Sequence, residues 1–201
     1  MTTRGFTGRR NAPDIIGRLP PGQYLEKDFP VLSAGPTPRV STDGWSFTLK
    51  NGPKPVKTWS WQEFNALPLS RVTRDIHCVT KWTKLDTVWE GVLVDDILEA
   101  AGVVPPTLYA LAHSFDGYTT NIPVADLVGG KAMVAVRYAG QPLHPEHGGP
   151  ARLLVPHLYF WKSAKWVNGL QFTARDEAGF WELRGYHMYG DPWREQRFTG
   201  D

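Results

Sequence analysis

An α+β fold, with mixed β-sheets and short helices, is what this 201-residue sequence predicts. Three observations carry the prediction. Apolar and polar residues alternate over several short stretches, which is the period of a strand. Brief segments with helix-capping residues lie between them. No internal repeat and no long helical period competes with either pattern.

Residues 1–40 carry many Gly and Pro and no sustained period. They predict an extended N-terminal arm, pinned down by Phe29, Val31 and Leu32. Trp45 to Leu49 alternates and ends at Asn51-Gly52, a strand and its turn, and Val56 to Trp59 continues as strand. Ser60 with Glu63 forms a capping box that opens a short helix stopping before Pro68. Arg71 to Val79 alternates again, with Val72, Ile76 and Cys78 on one parity, and runs into a loop over 78–86. Val94 to Ala101 predicts a helix, with Asp95 and Asp96 in its first turn and Gly102 beyond its end. Strands follow at Leu108 to Ala112, Ala132 to Tyr138, Arg152 to Val155 and Leu170 to Ala174. Short helices are expected at Pro123 to Leu127 and Trp161 to Lys165. Residues 41–176 thus form the central domain, and 177–201 an aromatic, charged C-terminal arm packed on it, a surface arm or a lid over a cleft.

Composition excludes several functions. A net charge of +2 gives no pull toward nucleic acid or anionic membranes. No stretch reaches the length of a membrane span. Arg9-Arg10 is followed by Asn11-Ala12-Pro13-Asp14, not by the apolar run of an export signal. A single cysteine rules out an internal disulfide and fits a reducing compartment, so the expected location is cytoplasmic. Nine tryptophans supply either a bulky core or a cleft wall for a large heteroaromatic ligand, and composition favours the core.

Cys78 is the residue with the most chemistry. A lone cysteine is usually a small buried hydrophobe. Here Arg74, His77, Lys81 and Lys84 lie close in sequence, and cationic neighbours favour the thiolate. A thiolate is a nucleophile or a soft metal ligand. The nucleophile reading, a cysteine-dependent hydrolase or transferase, needs a base, and His113, His144 and His147 are equally available. A zinc site needs further ligands at short spacing, and none flanks Cys78. A metal held here takes most of its ligands from elsewhere.

Two separated motifs resemble the sulfite-oxidase family of molybdopterin-dependent oxidoreductases. The first is Asp75-Ile76-His77-Cys78, then Trp89-Glu90-Gly91-Val92, then Asp96-Ile97-Leu98. It is similar to the family's molybdenum-cysteine segment, in which a strand delivers the cysteine and a Trp-x-Gly-Val turn and short helix follow. The second is His147-Gly148-Gly149-Pro150-Ala151-Arg152, followed by Lys162-Ser163-Ala164-Lys165-Trp166, and it resembles the family's pterin-binding run. The pair in order is a specific signal. The resemblance covers about residues 40–175 and implies a sulfite-oxidase-type molybdopterin-binding fold.

It further implies molybdenum-molybdopterin as cofactor, with Cys78 as the protein ligand to the metal. His147, Arg152, Ser163, Ala164 and Lys165 would hold the pterin and its phosphate, with donors added by the start of the short helix near Ser163. Arg offers phosphate a planar fork of donors, and Lys a compact charge. His113 and the loop Thr119-Thr120-Asn121 would line the site. Lys81, Lys84 and His144 would orient a small-molecule oxo donor or acceptor. The implied reaction is oxygen-atom transfer, as in sulfite oxidation or the reduction of an S- or N-oxide, and a metal-free binding module on the same fold is the non-enzymatic alternative. The family's sulfite enzymes carry Arg and His in the N-terminal segment and a Gly-Asn-Arg run after the cysteine. Here Phe29 to Pro36 and Val79-Thr80-Lys81-Trp82 stand instead, which implies a less cationic pocket, closer to the short, haem-free members. The sequence contains no haem, iron–sulfur or dinucleotide motif, so electrons are expected from a separate flavin or haem protein, with Trp193, Arg194 and Arg197 as a possible docking surface.

Overall fold

The computed structural model describes residue 15 and residues 17–201. The Arg9-Arg10 pair and the start of the N-terminal arm lie outside the described residues. Strands β1 (Tyr24–Leu25), β4 (Ser70–His77), β5 (Trp82–Leu93), β8 (Met133–Tyr138), β9 (Gln141–Pro142) and β10 (Arg152–Leu154) form one sheet. Strands β2 (Ser46–Asn51), β3 (Lys54–Ser60), β6 (Tyr109–Ser114), β7 (Thr119–Pro123) and β11 (Val167–Thr173) form the other, in the order β3-β2-β11-β6-β7. Pairing is antiparallel except for β1 with β5 and β2 with β11. The two α-helices among the described residues are α1 (Trp61–Asn65) and α2 (Val94–Ala101).

Local chemistry sets these elements. The capping box at α1 forms in full: Ser60 Oγ accepts from the Glu63 N–H, and the Glu63 carboxylate accepts from the Ser60 N–H at 2.8 Å. Helix α2 buries Val94, Ile97 and Leu98 and stops where Gly102 adopts φ +64°. The Asp95 carboxylate, expected to favour the helix N-terminus, also accepts from the N–H groups of Gly129 and Gly130.

The main core lies between the two sheets, with Trp45, Phe47 and Phe64 meeting Val92, Ile97 and Val134. A second cluster covers the outer face of the β5-containing sheet and includes Ile76, Cys78, Trp82, Trp89, Met133 and Leu154. Strand β8 therefore serves both sides: Val134 and Val136 enter the main core, while Met133 and Ala135 enter the second cluster. Burial on both faces explains its unbroken apolar run.

Two expectations are corrected. The loop over 78–86 and the Trp-x-Gly-Val turn are one long strand, β5, preceded by a tight turn at 78–81. Buried hydroxyls hid its alternation: Thr83 Oγ1 pairs with His77 Nδ1 at 2.9 Å, and Thr87 Oγ1 receives the Trp89 indole N–H at 2.7 Å. Within it, a Cβ on Gly91 would sit 2.2 Å from the Val134 carbonyl, so the motif's glycine serves close strand approach and not a turn. Thr119-Thr120-Asn121, expected as a loop, belongs to β7.

The arms are held by named contacts. Tyr24 donates its N–H to the Lys81 carbonyl, and the Phe29 ring stacks on His147 with centroids 4.0 Å apart. At the other end, Lys162 Nζ donates to Glu182 Oε1, Asn121 Oδ1 and the carbonyls of Asn121 and Met188, all within 3.0 Å.

Candidate active site

A cavity of about 300 Å³ opens where the second cluster meets both arms. Its wall includes Cys78, Arg152, Ser163, Ala164 and Lys165. The hairpin of β4 and β5 delivers Cys78. The Cys78 N–H donates to the Trp82 carbonyl at 2.8 Å, and the Lys81 N–H returns to the Cys78 carbonyl at 3.0 Å. Lys81 completes this turn with φ +76°. Cys78 is 7% exposed, and its sulfur accepts from Thr80 Oγ1 at 3.1 Å. Burial pushes the thiol up, against the hydrogen bonds from Thr80 and Val79. The expected cationic surroundings are absent from the sulfur. Arg74 turns to the Thr73 carbonyl, Lys84 binds the Lys27 carbonyl, and burial holds His77 down to about 4.

Arg152 enters from β10, after a segment whose tight course depends on glycine: a Cβ on Gly149 would sit 2.0 Å from the Leu143 carbonyl. The guanidinium is 1% exposed and lies 4.1 Å from the Phe160 ring centroid. It donates to the carbonyls of His147 at 2.8 Å and Ser163 at 2.7 Å, and forms no salt bridge among the described residues. Among the described residues its Nε has no partner, and neither does Nε1 of Trp82, which lines the same cavity. Burial lowers Arg152 to about 9. A cation this deep without a carboxylate is costly unless an anion joins it.

The family model described as "Oxidoreductase molybdopterin binding domain" matches residues 34–181. The chain belongs to this family. It is 44% identical to an uncharacterized oxidoreductase, YuiH, of Bacillus subtilis over 98% of this chain and 100% of that one. It is 31% identical to a putative protein-methionine-sulfoxide reductase subunit, YedZ1, of Azospira oryzae, over 89% of this chain and 69% of the relative. The sulfane dehydrogenase SoxCD of Paracoccus pantotrophus shares the fold, with a TM-score of 0.60 and 21% identity over 69% of this chain and 40% of that one. As a molybdopterin-binding oxidoreductase of the sulfite-oxidase family, the enzyme has molybdenum-molybdopterin as its cofactor. The cavity residues fit that group: two buried N–H donors, partnerless among the described residues, and an unneutralised guanidinium suit an anionic, hydrogen-bonding ligand in a cavity that Cys78 also lines.

Not every residue singled out from the sequence reaches this cavity. Ser163 does, but its hydroxyl accepts from the Val155 N–H at 2.9 Å, and the residue ends a three-residue 3-10 helix, Phe160–Lys162, so no helix N-terminus points there. Lys165 is half-buried; its ammonium donates to Ser33 Oγ and the Glu146 carbonyl, and burial beside Arg152 lowers it to about 8. His147 stands behind Arg152, its carbonyl bound and its ring against Phe29. Burial, then the Arg152 charge, holds its ring down to about 4. Lys81 is exposed at the hairpin tip, and His144 is exposed beside Glu146; neither lines the cavity. His113 faces Gln171 across β6 and β11 at 2.9 Å, away from the cavity wall.

Sequence reasoning missed most of the aromatic wall. Phe29, Trp82, Phe160, Trp161, Trp181 and Tyr186 line the cavity. The signal was the tryptophan count, read as core. Trp45, Trp59 and Trp89 are indeed core, but Trp82, Trp161, Trp166 and Trp181 shape the cleft.

Proposed function

We propose that Cys78 is the thiolate ligand to molybdenum and that the enzyme transfers an oxygen atom from a neutral S- or N-oxide. The observation carrying this reading is the meeting of the Cys78 sulfur and the carboxylate-free Arg152 guanidinium on one largely aromatic wall. When bound, the molybdenum group supplies two-electron oxygen-atom transfer, cycling between the +6 and +4 states.

The chain's own residues supply position and electrostatics. Cys78 holds the metal with a soft donor. Arg152 offers its free Nε–H and its charge to the pterin's anionic end, with Lys165 and the rigid Ser163 backbone beside it. Phe29, Trp82, Phe160, Trp181 and Tyr186 exclude water around the sulfur. Leu32, Ala34 and Val79 stand on the wall where a sulfite pocket needs cations, which favours an uncharged substrate. The Azospira relative, a putative methionine-sulfoxide reductase subunit, supports the same direction.

Reducing an oxide consumes two electrons and two protons and releases water. Cys78 is the single cysteine of the sequence, so these residues themselves attach no iron–sulfur cluster or c-type haem, and a flavin or haem protein serves as the electron donor. One cysteine, kept reduced as a ligand, fits a cytoplasmic setting. No helix among the described residues is long and apolar enough to cross a membrane.

The test compares turnover of a dialkyl sulfoxide, with a reduced dye as donor, against oxidation of sulfite by the purified holoenzyme. Sulfoxide reduction with little sulfite oxidation is expected, as is loss of turnover and of the thiolate-to-metal charge-transfer absorption in Cys78→Ser. Efficient sulfite oxidation overturns the substrate class; unchanged turnover and absorption in Cys78→Ser overturn the ligand assignment.

A further inference from the structure

We infer that Thr80 is a positioning residue for the metal-ligating sulfur, its hydroxyl fixing the orientation of Cys78 Sγ and drawing electron density from it. This rests on the reading of Cys78 as the molybdenum ligand. The backbone around Cys78 is already fully bound. Its N–H goes to the Trp82 carbonyl, and its own carbonyl receives both the Lys81 N–H and the buried Gln23 Nε2, the latter at 3.1 Å. One freedom remains, rotation about the Cα–Cβ bond. The Thr80 hydroxyl, donating to the sulfur at 3.1 Å, is the side-chain contact that fixes it.

Thr80 is exposed, yet it lines the cavity and packs in neither core cluster. A threonine here has no packing role to explain it, whereas a hydroxyl two residues beyond the sulfur has an electronic one. Hydrogen bonds to a ligating sulfur make it a poorer donor and raise the potential of the metal it binds. Removing the bond leaves a more electron-rich thiolate, which stabilises the higher oxidation state.

The experiment uses holoenzyme carrying Thr80→Val, which keeps the shape and removes the donor, and Thr80→Ser, which restores the donor. Redox titration of the bound metal and the thiolate-to-metal charge-transfer absorption are measured alongside kinetics. Thr80→Val is expected to lower the midpoint potential, shift the absorption and reduce kcat by roughly 10-fold with little change in KM. Thr80→Ser is expected to return all three to the parent values. Unchanged potential and absorption in Thr80→Val, while Cys78→Ser alters both, overturns the role of Thr80 alone. Unchanged potential and absorption in Cys78→Ser instead overturn the ligand assignment, and this inference with it.

Discussion

Replacing Arg152 with Met separates a residue that serves the fold from one that serves an anion. In the cofactor-free protein the guanidinium makes two hydrogen bonds to backbone carbonyls, at 2.8 and 2.7 Å. Bonds of this charged kind contribute about 1.5–3 kcal/mol each. Against them stands the cost of burying the charge. Burial lowers Arg152 from its ordinary value to about 9, which corresponds to about 5 kcal/mol disfavouring the charged form. The two effects nearly cancel, so Arg152→Met is expected to change the stability of the stripped protein by no more than about 2 kcal/mol, or roughly 4–8 °C in Tm. The holoenzyme loses in addition a charge-assisted contact to the cofactor's anionic end. That contact contributes about 1.5–3 kcal/mol, which is roughly 10- to 150-fold in cofactor affinity. Metal and pterin retained after gel filtration measure the second effect, and calorimetry of stripped protein the first. Unchanged occupancy together with a large fall in the stripped Tm refutes the argument and makes Arg152 a purely structural residue.

Further outcomes follow from other contacts. Lys162→Met leaves the Glu182 carboxylate buried and unpaired, with Oε2 already partnerless, and is expected to cost about 3–5 kcal/mol, whereas Lys162→Met with Glu182→Leu recovers most of it; thermal melts of the single and double variants check this. His147 is held down to about 4 by burial and by the Arg152 and Lys165 charges, so the fold favours its neutral ring. The stabilisation is present above pH 6.5 and is lost as pH falls toward 4, and urea midpoints across that window are expected to fall less steeply in His147→Gln. Phe29→Ala removes the stacked contact on His147, centroids 4.0 Å apart, and opens the cavity wall; a loss of about 1–2 kcal/mol and lower metal retention are expected by calorimetry and metal analysis.

Local signals made part of the site legible. Cys78 and Arg152 were found because each closes a short motif whose residues act together: a strand that delivers the sulfur, and a Gly-Gly-Pro approach that lets the backbone pass Leu143 closely. The same motif logic led to Ser163, whose hydroxyl is spent on the Val155 N–H instead. Charge proximity in sequence misled. Arg74 and Lys84 are neighbours of Cys78 along the chain, but a register irregularity between Arg74 and Ile76 breaks the alternation, and the two side chains bind the carbonyls of Thr73 and Lys27. His113 had no motif behind it, and its partner Gln171 comes from a strand 58 residues away.

The sequence by itself determined the elements with strong local chemistry: α1 by its capping box, α2 by its acidic first turn and Gly102, and β8 by its unbroken apolar run. It also singled out the cysteine and the arginine on which the cofactor reading rests. Only the tertiary structure decided what surrounds them. Phe29 arrives from one arm, Trp181 and Tyr186 from the other, and Trp82 from the far side of the hairpin, so no window of sequence holds the cavity wall. Likewise the Lys162–Glu182 pair, fully buried, joins residues whose charges suggest surface until the fold brings them together. Local propensity acts within a few residues, whereas burial, which makes Arg152 demand an anion and leaves Thr80 as the side-chain donor at the Cys78 sulfur, comes from contacts across the whole chain.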